Sequence, residues 1–82
     1  MVKFKIYGKT NCSSCISAKQ LLEQKGKPFE YLVFGKDFDL GKFTSFNKSH
    51  KSFPLITVIE DETENYLGSL NTLQQLLNGD NL

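Results

Sequence analysis

Val2-Lys3-Phe4-Lys5-Ile6-Tyr7, followed after a few polar residues by Cys12-Ser13-Ser14-Cys15, decides how this chain is read. Val2, Phe4 and Ile6 alternate with Lys3, Lys5 and Tyr7, the two-residue period of a strand. From Ser13 to about Lys25 the pattern changes: Cys15, Ala18, Leu21 and Leu22 fall on one helical face, with Thr10 or Asn11 available as N-cap and Gly26 as the stop. The two cysteines thus sit where a strand gives way to a helix. Three residues apart on a first helical turn, they can close a small disulfide ring. The first faces the unpaired N–H groups and positive dipole end of the helix, which favour a thiolate. The second lies further into the helix, close enough to attack a mixed disulfide formed on the first. This placement points to a redox dithiol.

Working outward, Pro28 blocks any continuation of the helix, and Phe29-Glu30-Tyr31-Leu32-Val33-Phe34 is rich in aromatic and β-branched residues, as a second strand should be. The strand-helix-strand order implies a parallel pair with a right-handed crossover. Between Gly35 and Lys51, Leu40, Phe43 and Phe46 can line a helix face. Gly41 interrupts that face, so a short or irregular helix is expected. Leu55-Ile56-Thr57-Val58-Ile59 is the strongest strand signal, and the polar Glu60–Glu64 stretch turns it into an antiparallel partner ending at Tyr66-Leu67. Leu70, Leu73, Leu76 and Leu77 then repeat at helical spacing until Asn78-Gly79, with Ser69 or Asn71 as N-cap. The order β-α-β-α-β-β-α predicts an α/β protein: a four-stranded mixed sheet flanked by helices. In that order the first strand is interior, and Lys3 and Lys5 are unusual there; their stems are expected to lie along the sheet and release their charges at its edge.

The 82 residues suit a single domain, 1–82, with one small core. Ten Lys and Arg against nine Asp and Glu give a net charge of +1, which names neither nucleic acid nor an anionic membrane as the main partner. No apolar run is long enough to span a bilayer, and Met1-Val2-Lys3-Phe4-Lys5 lacks the features of a signal peptide. The expected location is cytoplasmic, where closely spaced cysteines are catalytic or metal-binding rather than structural. A zinc site needs four ligands, and Cys12, Cys15 and His50 have no second cysteine pair beside them, so no metal is expected. His50 reads as a solvent-exposed loop residue. Tyr7 either edges the cysteine site or completes the sheet.

The stretches Tyr7-Gly8-Lys9-Thr10-Asn11-Cys12-Ser13-Ser14-Cys15, Ser52-Phe53-Pro54 before a strand, and Leu67-Gly68-Ser69 before the last helix together resemble the glutaredoxin family from end to end. The resemblance implies the thioredoxin fold, with Pro54 as a cis proline facing the cysteines. It makes Cys12 the nucleophile and Cys15 the resolving thiol. Lys9 resembles the family's lysine near the nucleophile, able to meet a glutathione carboxylate. Ser52 and Phe53 match the pair whose main chain binds glutathione in antiparallel β fashion. Gly68 and Ser69 match a Gly-Gly pair at a helix N-terminus suited to the γ-glutamyl carboxylate. Three departures stand out: Ser13-Ser14 replaces the usual Pro-Tyr, Ser69 replaces the second glycine, and Asn71 stands where many members have Asp. Lys42, Lys48 and Lys51 are candidates for the glycine carboxylate of glutathione.

The resemblance therefore implies a glutathione-dependent thiol-disulfide oxidoreductase, with glutathione as reducing co-substrate and no bound cofactor. Its expected partners are disulfide-containing or glutathionylated proteins, ribonucleotide reductase among them, and the expected state is a monomer. Two alternatives stay open at this point. One is an iron–sulfur cluster carrier in which two chains each supply Cys12 together with glutathione, a reading that Ser13 supports; the other is a redoxin reduced by a flavoprotein resembling thioredoxin reductase.

Overall fold

The computed structural model describes residues 2–50 and 52–79. In chain order these form β1 (Val2–Gly8), α1 (Ser13–Gln24), β2 (Phe29–Val33), α2 (Leu40–Phe46), β3 (Leu55–Glu60), β4 (Thr63–Gly68) and α3 (Leu70–Gly79). The strands make one mixed sheet in the order β2-β1-β3-β4. β1 runs parallel to β2 and antiparallel to β3, and β3 and β4 form the antiparallel hairpin expected from the polar turn. That turn is tighter than its composition suggests. Glu60 pairs with Thr63, leaving Asp61 and Glu62 as a two-residue loop with φ of 51° and 67°. Both residues take the left-handed conformation that a primed hairpin turn requires, without the Asn-Gly that usually signals it.

The pleat sends alternate side chains to two different cores. On one face Phe4, Ile6 and Ile56 meet Ala18 and Leu22 of α1 and Leu73 and Leu77 of α3, all buried. On the other face Tyr7 and Leu55 meet Phe43 of α2, with Leu32, Phe38, Phe46, Phe53 and Tyr66 packed around them. Tyr7 belongs to this second core, although it shares the alternation with Lys3 and Lys5. The reason is the short reach of α2, which covers one end of the face and leaves Lys5 beside an open depression. The lysines follow the expected pattern: Lys5 is half-buried with Nζ 3.9 Å from Glu30 on neighbouring β2, and the exposed Lys3 is 4.0 Å from the same carboxylate.

Several details differ from the expectation. Asn11, at φ 56°, cannot take the extended conformation of an N-cap, and Cys12 itself caps α1. The helix stops as expected, with Lys25 as C-cap and Gly26 following. α2 starts on Asp39, whose carboxylate accepts the Gly41 N–H at 3.0 Å, and this cap offsets the weak propensity of the segment. Leu40 is exposed rather than part of the α2 core face. α3 begins where the Ser69 carbonyl accepts the Leu73 N–H, and the helix runs through Gly79 instead of stopping before it.

Candidate active site

Cys12 and Cys15 are joined in a disulfide, with Cα atoms 5.3 Å apart. Their environments differ. Cys12 has extended backbone angles, its Sγ accepts the Cys15 N–H at 3.2 Å, and its carbonyl accepts the Ile16 N–H. Its sulfur therefore occupies the position of an N-capping oxygen, where first-turn N–H groups and the helix dipole stabilise negative charge. Cys12 keeps 8% exposure while Cys15 has none. Cys15 is sealed partly by Gly8 at the end of β1: a Cβ there would come within 2.9 Å of the Cys15 Sγ and 2.7 Å of the Tyr31 hydroxyl. Close approach of the helix to the strand thus needs glycine at position 8.

Cys12 opens onto a depression of about 510 Å³ whose walls are Lys9, Asn11, Ser13, Ser14, Ser52 and Phe53. Lys9 lies with Nζ 5.4 Å from the centroid of the Phe53 ring, a cation–π contact across the mouth of this depression. The Lys9 main chain is tied back by Tyr31, whose hydroxyl donates to its carbonyl at 3.0 Å. Burial pushes the Tyr31 phenol above its ordinary range, with the hydrogen bond to Lys9 opposing, so this hydroxyl remains a donor at neutral pH. The Phe53–Pro54 peptide is cis and Pro54 is buried behind the wall.

Of the expected site residues, the structure thus brings Lys9, Ser52 and Phe53 together with Cys12, and holds Cys15 and Pro54 beneath. Gly68 and Ser69 line an adjoining depression of about 420 Å³ that shares Ser52 with the first. Gly68 has a reason to be glycine that involves no ligand. Its φ is 144°, and a Cβ would lie 2.5 Å from Thr72 Oγ1. Lys42 sits elsewhere, with Nζ 5.2 Å from the Phe46 ring on the α2 face, and Lys48 is exposed outside both depressions. Lys51 lies outside the described residues.

Tyr7 completes the sheet rather than edging the site. Its buried hydroxyl donates to Glu64 Oε2 at 2.6 Å, and Thr57 donates to the same oxygen at 2.7 Å. Burial, reinforced by the Glu64 carboxylate, holds the Tyr7 phenol far above its ordinary range. For Glu64, burial works to raise the carboxyl, but the two hydroxyl donors together with the nearby Lys5 and Lys42 charges outweigh it and leave the group below its ordinary value. A larger depression of about 650 Å³ lies beside this network, lined by Lys5, Tyr7, Glu30 and Lys42. It contains neither cysteine, so the smaller depression over Cys12 is the candidate site.

His50 corrects the sequence reading. It is half-buried and engaged on both ring nitrogens: Nδ1 is 2.7 Å from the Tyr66 hydroxyl, and Nε2 is 2.8 Å from the Ser52 carbonyl and 3.3 Å from the Pro54 carbonyl. No short motif carries that arrangement, because Tyr66 comes from a strand 16 residues on. Tyr31 was likewise hidden, its bond to Lys9 spanning 22 residues. Among the described residues, no three His, Cys, Asp or Glu side chains gather as a metal site, and no helix is long and apolar enough to cross a membrane.

The fold that carries this site, a β2-β1-β3-β4 sheet with flanking helices, has a counterpart among solved structures. The crystal structure of glutaredoxin 1 from Francisella tularensis, complexed with cacodylate, superposes with a TM-score of 0.68 over 99% of this chain and 95% of that one, at 22% identity. The fold is that of a glutaredoxin. No protein-family model matches the chain, and no curated protein matches it in sequence. The glutaredoxin fold is thus carried here by a divergent sequence, and the four-stranded sheet with flanking helices read from the residues is the thioredoxin fold expected of such a protein.

Proposed function

We propose that the chain is a glutathione-dependent thiol-disulfide oxidoreductase that reduces protein disulfides or glutathione mixed disulfides. The observation that carries this reading is the asymmetry of the two sulfurs: Cys12 caps the helix at the mouth of a depression, and Cys15 is fully buried one turn in. In the reduced protein the Cys12 thiolate attacks one sulfur of a substrate disulfide, forming a mixed disulfide and expelling the other sulfur as a thiolate. The Cys15 thiolate then attacks the Cys12 sulfur, releasing the reduced substrate and forming the Cys12–Cys15 disulfide. Two glutathione molecules restore the dithiol, each giving one electron and together leaving as glutathione disulfide. With a glutathionylated substrate, glutathione itself can resolve the Cys12 adduct.

Lys9 supports this reading by placing a cation at the rim of the Cys12 depression, where a carboxylate of glutathione can meet it. The protein partners on this view are disulfide-containing or glutathionylated chains met in the cytoplasm, with ribonucleotide reductase a candidate. The decisive assay is steady-state reduction of a small glutathionyl mixed disulfide with glutathione, glutathione reductase and NADPH. Robust turnover that Cys12→Ser abolishes is the expected result, and Cys15→Ser should keep this activity while losing intramolecular release of protein disulfides.

A second reading has one observation in its favour: Gly68 and Ser69 lie in a separate depression from Cys12, and Ser69 brings a side chain where the resemblance places a glycine. A redoxin fed by a flavoprotein would fit that arrangement. It predicts no turnover with glutathione and rapid reduction of the Cys12–Cys15 disulfide by a thioredoxin-reductase-type flavoenzyme.

A further inference from the structure

We propose that His50 is a positioning residue for exchange at Cys12, an inference that rests on the oxidoreductase reading above. Its Nε2 faces two main-chain carbonyls, those of Ser52 and Pro54, which can only accept; the ring therefore carries a proton on Nε2 and donates to them. Nδ1 is then free to accept the Tyr66 hydroxyl proton at 2.7 Å. The ring is also clamped edge-on by Phe43 and Tyr66, each with its centroid 5.6 Å away.

The two carbonyls flank Phe53, and Ser52 and Phe53 form the wall of the Cys12 depression opposite the helix N-terminus. His50 itself does not line that depression. It fixes the wall from the adjoining depression, which it lines with Gly68 and Ser69, holding the main chain on both sides of Phe53. Exchange requires the attacked sulfur to approach Cys12 along the axis of the substrate disulfide, so a wall that wanders loses correctly aligned encounters without altering the Cys12 thiolate. The expected signature is impaired substrate capture with intact sulfur chemistry.

The test compares the parent with His50→Leu and His50→Gln. The substrate is a glutathionylated cysteine peptide, reduced under saturating glutathione, and a parallel assay follows alkylation of reduced Cys12 by iodoacetamide. For His50→Leu the proposal expects KM to rise about tenfold while kcat and the alkylation rate stay within about twofold, a loss smaller than the roughly hundredfold that a misplacement of about 1 Å can cost. His50→Gln, which keeps an N–H donor within reach of the carbonyls, should bring KM most of the way back to the parental value. An unchanged KM in His50→Leu overturns the proposal, as does a raised KM accompanied by comparable falls in kcat and alkylation rate, which would mark a purely structural role. Equal KM values for the Gln and Leu variants would overturn its hydrogen-bonding basis. A parent that alkylates readily but turns over no glutathionyl substrate overturns the glutathione reading itself, an outcome visible before any variant is compared.

Discussion

The two faces of the sheet are built from different materials. Toward α1 and α3 the core is mostly aliphatic, with Ile6, Ala18, Leu22, Ile56 and Leu73 each fully buried, Phe4 beside them, and Phe29 and Tyr31 packed at its margin. Toward α2 it is a chain of aromatic contacts, Tyr7 on Phe38, Phe38 on Phe43 and Phe43 on Phe53, ending at His50 and Tyr66, with the Tyr7-Glu64-Thr57 hydrogen bonds below. The site lies on the seam. α1 brings the cysteines from the aliphatic side, and the aromatic side supplies the wall they face. One face holds the two sulfurs in place through packing without direction, and the other holds the wall opposite them through contacts that depend on angle and on particular partners.

The sharpest way to break this comparison is a pair of large-to-small substitutions. Leu22→Ala should cost about 2–5 kcal/mol and Phe43→Ala about 3–5 kcal/mol, both read from urea unfolding of the oxidised protein. Their functional consequences should diverge. Leu22 touches neither wall of the depression, so folded Leu22→Ala should exchange thiols with parental KM. Phe43 packs 4.9 Å from the Phe53 ring and edge-on to His50, so folded Phe43→Ala should show a KM raised severalfold at similar kcat. Equal effects of the two substitutions on KM would mean that the faces do not divide their labour in this way.

The same contrast explains what could be read before the structure was seen. Aliphatic residues at regular spacing mark one side of a helix or strand, and Cys15, Ala18 and Leu22 of α1 were legible for that reason, as was the β-α-β-α-β-β-α order. The cysteine pair and Ser52-Phe53-Pro54 were legible as short motifs. What escaped depended on long-range partners. Tyr7 alternates with two lysines and looks polar until Glu64 and Thr57 arrive from the far hairpin. His50 looks like a loop residue until the chain folds back to give it Tyr66 and two carbonyls. The N-cap of α1 was misplaced because cysteine is rarely considered as a cap, although the cap position bears directly on its chemistry. The resemblance ties Gly68 to a carboxylate-binding pair, and the structure adds Thr72, which a Cβ at that position would meet.

A smaller effect tests whether direction matters on the aromatic face. Tyr7→Phe keeps the ring and its contacts with Phe38 and Phe46 while removing the shorter of the two donors to Glu64. The expected loss is about 1–3 kcal/mol at neutral pH, the range for a hydrogen bond to a charged group whose partner stays in place. The change leaves the apolar area of this core nearly untouched, so a neutral outcome would show that packing alone holds the α2 face.

The smallest effect is a pH dependence confined to that face. Glu64 is held below its ordinary carboxyl value of 4.5 by the Tyr7 and Thr57 hydroxyls and by the charges of Lys5 and Lys42, which together overcome the opposing effect of burial. In the unfolded chain those donors are gone, so as pH falls below about 4.5 the unfolded state takes up a proton before the folded one does. The stabilisation from this group is therefore fully present above that value and is lost as pH falls through the lower folded-state value. Glu64 is only half-buried, and solvent screening keeps the amplitude modest. Unfolding free energies from pH 7 to 3 should show an acid limb that is shallower in Glu64→Gln than in the parent. Tyr7→Phe should fall between them, because Thr57 still donates to the carboxylate. On the aliphatic face Leu22→Ala should lower the whole curve without changing the shape of its acid limb, since no carboxyl or histidine side chain is among the residues of that core. A parallel displacement in all three variants would mean that Glu64 gains nothing from its two hydroxyls, and the directional character assigned to the α2 face would rest on the aromatic contacts alone.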